Sequence, residues 1–518
     1  MNGADALVAT LGANGVEVMF ANAGTSEMHV VAALDDAAGI RPVLCLFEGV
    51  ATGAADGYAR VTGGVAATLL HLGPGLANGW ANLHNARRAG VPVLNVVGVH
   101  PDAHDRLDPP LSSRVDQLAA SLGGAVTRVH RAADVPTATA QALTSARQPR
   151  AQVSTLLLPA DVAWSPFATA PGLWPTAAAH QPAAPRAHDV TEAIGWLRAG
   201  RAGLVVGGAL SASNLSRAAA VAEATGARLL VETFPTIMDH GAGTPSPERI
   251  VYLTDFAVPQ LSALERVVLV GAAEPIGFFA YPELPSRLLG AGCQVLDLCA
   301  HGGDVTTALT DLAAAAEVGE WRPGATPPPA APTGPLTPAT FAAAVAATVP
   351  EGAIVVDEAN TGGVHLYDAL AGAAPHRLMT LTGGAIGFGL PAALGAALGS
   401  DAPVIALVAD GALEYTAQAL WSLARESLDV TIVVVANAAY DILRLERARL
   451  GPLPTSGASH LLTDLGSPAI DHVSLARAYG VPARRVESAD ELVTALAQRA
   501  GGHVGPELIE VPLAPLAL

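Results

Sequence analysis

Two side chains near the C-terminal end could hold a cation. Asp410 and Asn437 stand 27 positions apart, each closing an apolar run, Ile405 to Ala409 and Val430 to Ala436. Each run reads as a parallel strand and the stretch between them as a helix, so both polar residues emerge at the carboxyl ends of strands, where open α/β sheets form their ligand crevice. A carboxylate, an amide oxygen and a backbone carbonyl, that of Ala439, are hard donors of the kind Mg2+ takes when it bridges to phosphates. Gly411 lets the backbone approach an anion, and a helix beginning near Leu413 turns its N-terminus towards it. The same residues also suit the caps and turns of an ordinary strand-helix-strand unit.

A second group lies in the first part of the chain. Glu48, in LFEGVATGAADGYARVTG, closes an apolar strand ahead of a helix built on Ala51, Ala54, Ala55 and Tyr58. His71 closes another, before a turn at Gly73-Pro74-Gly75 and then Asn78, and Thr25 and Ser26 follow Gly24 at a third. Singly, each has a bland reading as a helix-start carboxylate, a packed imidazole or a cap. Polar groups at three strand ends of one domain favour a site.

The elements that must position these residues are α/β throughout. The 518 residues exceed one core, and about 150 residues per domain suggests roughly three. Residues 1–165 alternate helices with strand candidates at Val16 to Ala21, Val43 to Phe47, Ala66 to His71, Val93 to Val97 and Ser154 to Pro159. A Pro- and Ala-rich stretch, Ser165 to Ala187, reads as a linker to a second α/β unit over 188–320. Arg322 to Pro338 reads as a semi-rigid linker to a third over 339–518. Apolar residues at 51% and charged residues at 14% suit buried parallel strands. A net charge of −18 argues against nucleic acid and anionic membranes as partners. No apolar run approaches a membrane span, the N-terminus lacks a signal-peptide pattern, and three cysteines without metal spacing fit a reducing cytoplasm.

Taken together, the strand-end Glu before ADGYAR, the segment TGGAIGFGLPAALGAALG and the Asp-Gly to Asn interval resemble the thiamine-diphosphate-dependent 2-oxo-acid enzymes, over essentially the whole chain. The resemblance implies three doubly wound parallel-sheet domains: pyrimidine-binding, middle and diphosphate-binding. It implies that Glu48 bonds the aminopyrimidine of thiamine diphosphate and promotes loss of the thiazolium C2 proton, and that Ile386 props the cofactor in its bent form. Asp410, Asn437 and the Ala439 carbonyl would then ligate Mg2+, and Asn360, Thr361, Gly384, Gly411 and Ala412 would line the diphosphate. His71 and Thr25 match active-site positions of the benzoylformate decarboxylase type, His71 serving proton transfer, with Tyr440 and Leu443 as pocket residues.

The implied reaction is decarboxylation of a 2-oxo acid with carboligation of the resulting enamine, as in acetolactate synthases. The alternatives are a non-ligating decarboxylase of the benzoylformate type and a catalytically silent cofactor-binding paralogue. Because Glu48 and Asp410 fall in different domains that meet across subunits in the family, a homodimer or homotetramer is expected. Three departures leave these residues in place: Ala409 and Ala436 replace a glycine and an asparagine beside the metal ligands, and Phe47 precedes Glu48. A fourth bears on substrate: EPIGFFAYPELP, Glu274 to Pro285, lacks the second histidine of benzoylformate decarboxylases. Val206 to Leu210 sits where acetolactate synthases bind the diphosphate of FAD, but two glycines are a weak signal and many relatives keep this domain without a nucleotide.

Overall fold

The computed structural model describes residues 1–516 apart from 38, 149–151, 169–173, 180, 320, 325–326 and 501–504. Parts of both proline-rich linkers therefore lie outside the described residues.

Three sheets organise the chain. The first, all parallel, runs Arg41–Leu44, Val18–Asn22, Ala66–His71, Val93–Val99, Val153–Pro159, Val126–Arg128. Its central strands are Val-, Leu- and Ala-rich and buried on both faces, as parallel strands under helices must be. Chain order reverses between Val18–Asn22 and Ala66–His71, so the crevice of this domain opens at Gly24 and His71. The strand expected over Val43 to Phe47 lies earlier, at Arg41–Leu44, because Phe47 is extended but already serves as the N-cap of helix Glu48–Thr62. No free turn follows His71 either. Helix Leu72–Ala89 begins at once and takes Gly73-Pro74-Gly75 into its first turn, where a proline costs no hydrogen bond.

The middle sheet is parallel and has five strands, with Ala202–Val206 at its centre. The third sheet runs Ala483–Arg485, Glu507–Pro512, Val430–Ala436, Val404–Ala409, Ile354–Glu358, His376–Thr380, Ile237–His240, Ala209–Leu210. Its last two strands come from the middle part of the chain, and Ile237–His240 pairs antiparallel with His376–Thr380, the one exception to parallel strand pairing in these sheets among the described residues. Order reverses between Ile354–Glu358 and Val404–Ala409, which opens a crevice between Asn360 and Asp410. The helix expected near Leu413 starts at Asp410 instead and ends at Leu413, since Asp410 Oδ1 takes the Gly411 N–H and closes the turn around its own side chain.

Helix Glu48–Thr62 of the first domain packs on helix Gly389–Gly399 of the third, and small residues set the distance. A Cβ on Gly57 would lie 2.1 Å from the Ala392 carbonyl oxygen, and one on Gly395 would lie 1.9 Å from that of Ala54. A single buried cluster runs through both domains, including Ala54, Tyr58, Ala392 and Ala396. At this contact Arg60 is buried, bidentate to Asp56, and donates to the Thr236 and Thr380 carbonyls, so one guanidinium ties a helix of the first domain to two neighbouring strands of the third sheet.

Candidate active site

In the first crevice Glu48 is 7% exposed and accepts from Asn78 Nδ2 at 2.9 Å. No cation pairs with it among the described residues. A Cβ on Gly75 would lie 3.2 Å from Glu48 Oε1 and 3.5 Å from His71 Cβ, so the two candidates share one small volume. His71 turns Nδ1 towards Glu27 Oε2 at 2.7 Å and Ser26 Oγ at 3.2 Å, with its ring against the Gly24 backbone. Thr25 is exposed on the same short helical turn, Thr25–Glu27.

Glu27 escapes sequence reading. A glutamate in a polar stretch reads as solvated, yet its side chain is fully buried. It fits only because Gly98, on a neighbouring strand, has no side chain: a Cβ there would lie 1.8 Å from Glu27 Oε1.

In the third sheet, Ala438 N–H donates to Asp410 Oδ2 at 2.7 Å, which brings the Asp410 carboxylate onto the Asn437 turn. Burial raises the Asp410 carboxyl above its ordinary range, the backbone N–H groups of Gly411 and Ala438 opposing it. Asn437 Nδ2 donates to Asp441 Oδ2 at 2.9 Å, which fixes the amide and leaves its oxygen on the loop side, where Ala439 N–H meets it at 3.1 Å. Ala439 bridges Asp464 through the bonds of its neighbours Ala438 and Tyr440, so its own carbonyl points away from that segment. One carboxylate, one amide oxygen and one free-facing carbonyl fit Mg2+. Among the described residues no three His, Cys, Asp or Glu side chains gather as a metal site, so this mixed oxygen set is the candidate. Asp441, 2% exposed, is a second residue missed in the sequence; its signal is only an acidic residue opening helix Asp441–Ala448.

The remaining candidates surround this point unevenly. Gly411 lies under the Tyr440 ring, and Ala412 is buried behind it. Asn360, at φ 49°, and Thr361 stand at the carboxyl end of the adjacent strand. Leu443 is half exposed on helix Asp441–Ala448, apart from any packed cluster. Gly384, at φ 75°, carries no side chain and faces the Phe278 ring of the middle domain. The segment holding Phe278 docks on the Leu443 helix through Tyr281, whose hydroxyl donates to Glu446 at 2.9 Å.

Ile386 sits in a loop tied from both sides. Asn82 Nδ2 donates to the Gly387 carbonyl, Asn85 Nδ2 to that of Ala385, and Glu358 accepts from Gly387, Phe388 and Gly389 N–H at 2.8, 3.1 and 2.6 Å. Asn78, Asn82 and Asn85 follow helical spacing on one face, so a single helix reaches from Glu48 to the Ile386 loop, about 10 Å along its axis. No hydrogen bond or ion pair among the described residues joins the Glu48–His71–Glu27 group to the Asp410–Asn437–Tyr440 group.

Residues 1–120 match the N-terminal TPP binding domain of thiamine pyrophosphate enzymes, and residues 363–511 match the C-terminal TPP binding domain. IlvX of Mycobacterium tuberculosis H37Rv, provisionally named an acetolactate synthase large subunit, is 50% identical over 523 residues, covering 99% of each chain. The chain belongs to the thiamine pyrophosphate enzyme family. Benzoylformate decarboxylase of Pseudomonas aeruginosa is 29% identical over 533 residues, 96% of each chain. The crystal structure of a Mycobacterium smegmatis protein, provisionally described as a thiamin diphosphate-dependent enzyme, superposes with TM-score 0.82 at 25% identity over 100% of both chains. Thiamine diphosphate is thus the cofactor of these two domains. No helix among the described residues is long and apolar enough to cross a membrane.

Proposed function

We propose that this thiamine pyrophosphate enzyme decarboxylates a 2-oxo acid with Mg2+ as second cofactor and joins the retained carbon fragment to another carbonyl, the acetolactate-synthase-like reaction. The observation that carries the reading is the Glu48 carboxylate: nearly buried, at a carboxyl-edge crevice, held by a neutral amide and, among the described residues, by no cation. Such a carboxylate is free to exchange a proton with a ring nitrogen, whereas an ion-paired one would be locked. Half identity to IlvX over the full length supports the acetolactate-synthase side.

Bound thiamine diphosphate supplies the electron sink for loss of CO2. Asp410, Asn437 and the Ala439 carbonyl hold Mg2+, Asn360, Thr361, Gly384, Gly411 and Ala412 surround the diphosphate, and Ile386 props the cofactor. Tyr440 and Leu443 belong to the pocket wall, and Thr25 lies at the substrate entrance beside His71. Because Nδ1 of His71 faces Glu27, Nε2 is the nitrogen that delivers or removes a proton. Glu48 and Asp410 act across a subunit interface, so the homodimer is the smallest working unit and a tetramer pairs two of them. The three cysteines, all buried thiols, suit a cytoplasmic protein.

One observation favours a second reading. A histidine held by a buried glutamate is a ready proton donor, and protonating the retained fragment releases an aldehyde, as in a simple decarboxylase of the benzoylformate type. Purified protein with thiamine diphosphate, Mg2+ and a panel of 2-oxo acids separates the two: a 2-hydroxy ketone or acetohydroxy acid supports ligation, and free aldehyde alone supports decarboxylation. No CO2 from any member of the panel rejects both and leaves a silent cofactor-binding protein.

A further inference from the structure

The middle sheet runs Glu248–Arg249, Arg228–Val231, Ala202–Val206, Arg266–Val270, Gln294–Cys299, which in order along the chain is 3-2-1-4-5. That is the strand order of dinucleotide-binding folds, whose ligand lays its diphosphate on the glycine turn after the first strand and on the N-terminus of the next helix. Both parts are here: Gly207-Gly208 follows Ala202–Val206, and helix Ala212–Thr225 comes next.

The donors of this cradle are already engaged. Gly207 N–H donates to the Val270 carbonyl at 3.1 Å, across the strands where the order reverses. Gly208 N–H donates to Glu232 Oε1 at 2.6 Å. Ala209–Leu210, which would wrap a diphosphate, forms a strand paired with Ile237–His240. The first N–H of the helix, on Ala212, donates to Asp239 Oδ2 at 2.7 Å, and Ser211 Oγ takes that of Asn214. A Cβ on Gly207 would lie 2.6 Å from Glu232 Oε1, so the carboxylate also fills the space beside the turn. Burial pushes the Glu232 carboxyl up to about 7, with the Gly208 N–H and the charge of Arg88 opposing.

We propose that the middle domain keeps the dinucleotide-fold order but has its diphosphate cradle closed by its own Glu232 and Asp239, and that it binds neither FAD nor any other nucleotide diphosphate. An incoming diphosphate must displace two carboxylates from the N–H groups it needs and then lie beside their charges, which like-charge repulsion opposes.

The test uses the thiamine-diphosphate-loaded protein. Its flavin absorbance and calorimetric titrations with FAD and ADP, at about pH 8 where Glu232 is ionised, should show no bound flavin and no saturable heat. One equivalent of FAD, or saturable ADP binding, overturns the proposal. Glu232→Gln with Asp239→Asn keeps a side-chain oxygen for each backbone N–H and removes both charges, and should give saturable ADP binding under the conditions where wild type gives none. If that variant matches wild type in circular dichroism and still binds ADP no better, charge is not what closes the cradle and the proposal falls. Asp239→Asn alone serves the same comparison should the double variant fail to fold.

Discussion

Two buried carboxylates hold the residues to which chemistry is assigned. Glu27 fixes His71 through Nδ1, and without its charge the imidazole loses the partner that sets its orientation and turns Nε2 to the crevice. Glu27→Gln should lower kcat about tenfold or more with little change in KM. His71→Ala combined with Glu27→Gln should be no slower than His71→Ala alone, because the glutamate acts only through the histidine; a cycle of steady-state rates checks this. Asp441 does for Asn437 what Glu27 does for His71. Asp441→Ala should cost about 10- to 100-fold in affinity for Mg2+ with thiamine diphosphate, measured by calorimetry, as loss of a ligand-orienting partner does elsewhere. Neither supporting carboxylate stands out in the sequence. Glu48, His71, Asp410 and Asn437 are legible because each ends an apolar run, but Glu27 and Asp441 are buried by groups distant in the chain, Gly98 and the Leu516 backbone.

At the scale of elements, the loop bearing Ile386 depends on helix Leu72–Ala89 on one side and on Glu358 at a strand end on the other. Burial raises the Glu358 carboxyl to about 7, the N–H groups of Gly389, Phe388 and Gly387 opposing it and Asp357 adding to it. With its folded value above the ordinary 4.5, its contribution to stability is fully present below about pH 4.5 and is lost as pH rises through about 7. Relative to Glu358→Gln, the wild type should therefore lose on the order of 3 kcal/mol across that range, seen in urea unfolding at its two ends. His240, buried and pushed down to about 4, contributes with the opposite sign, but it is common to both proteins and cancels in the difference. The alternation of strands and helices was readable from apolar runs and glycines. The start of helix Leu72–Ala89 was not, since Gly-Pro-Gly signals a turn unless the proline falls in a first helical turn.

At the scale of the molecule, three doubly wound sheets present three reversals of strand order. The first carries Thr25, Glu27 and His71, with Glu48 nearby, the third carries Asn360 and Asp410, and the middle one is closed by Glu232 and Asp239. The sheet order of each domain lies beyond local sequence patterns, because it depends on which strands pair, including the passage of Ile237–His240 into the third sheet. Among the described residues no hydrogen bond or ion pair joins the first and third groups, and the proposal that they meet across a subunit interface rests on the family resemblance. Co-expressing Glu48→Gln with Asp410→Ala chains should then restore about a quarter of wild-type turnover, since half the dimers are mixed and each carries one intact site. No recovery would place both residues in one subunit's site.

Glu48 is proposed to activate the cofactor, and the exchange of the thiazolium C2 proton for deuterium in bound thiamine diphosphate, followed by quenched-flow NMR, reads that step without any substrate. Wild type should exchange at least about 100-fold faster than Glu48→Gln at equal cofactor occupancy. Equal exchange rates in the two proteins would contradict a role for Glu48 in activating the cofactor.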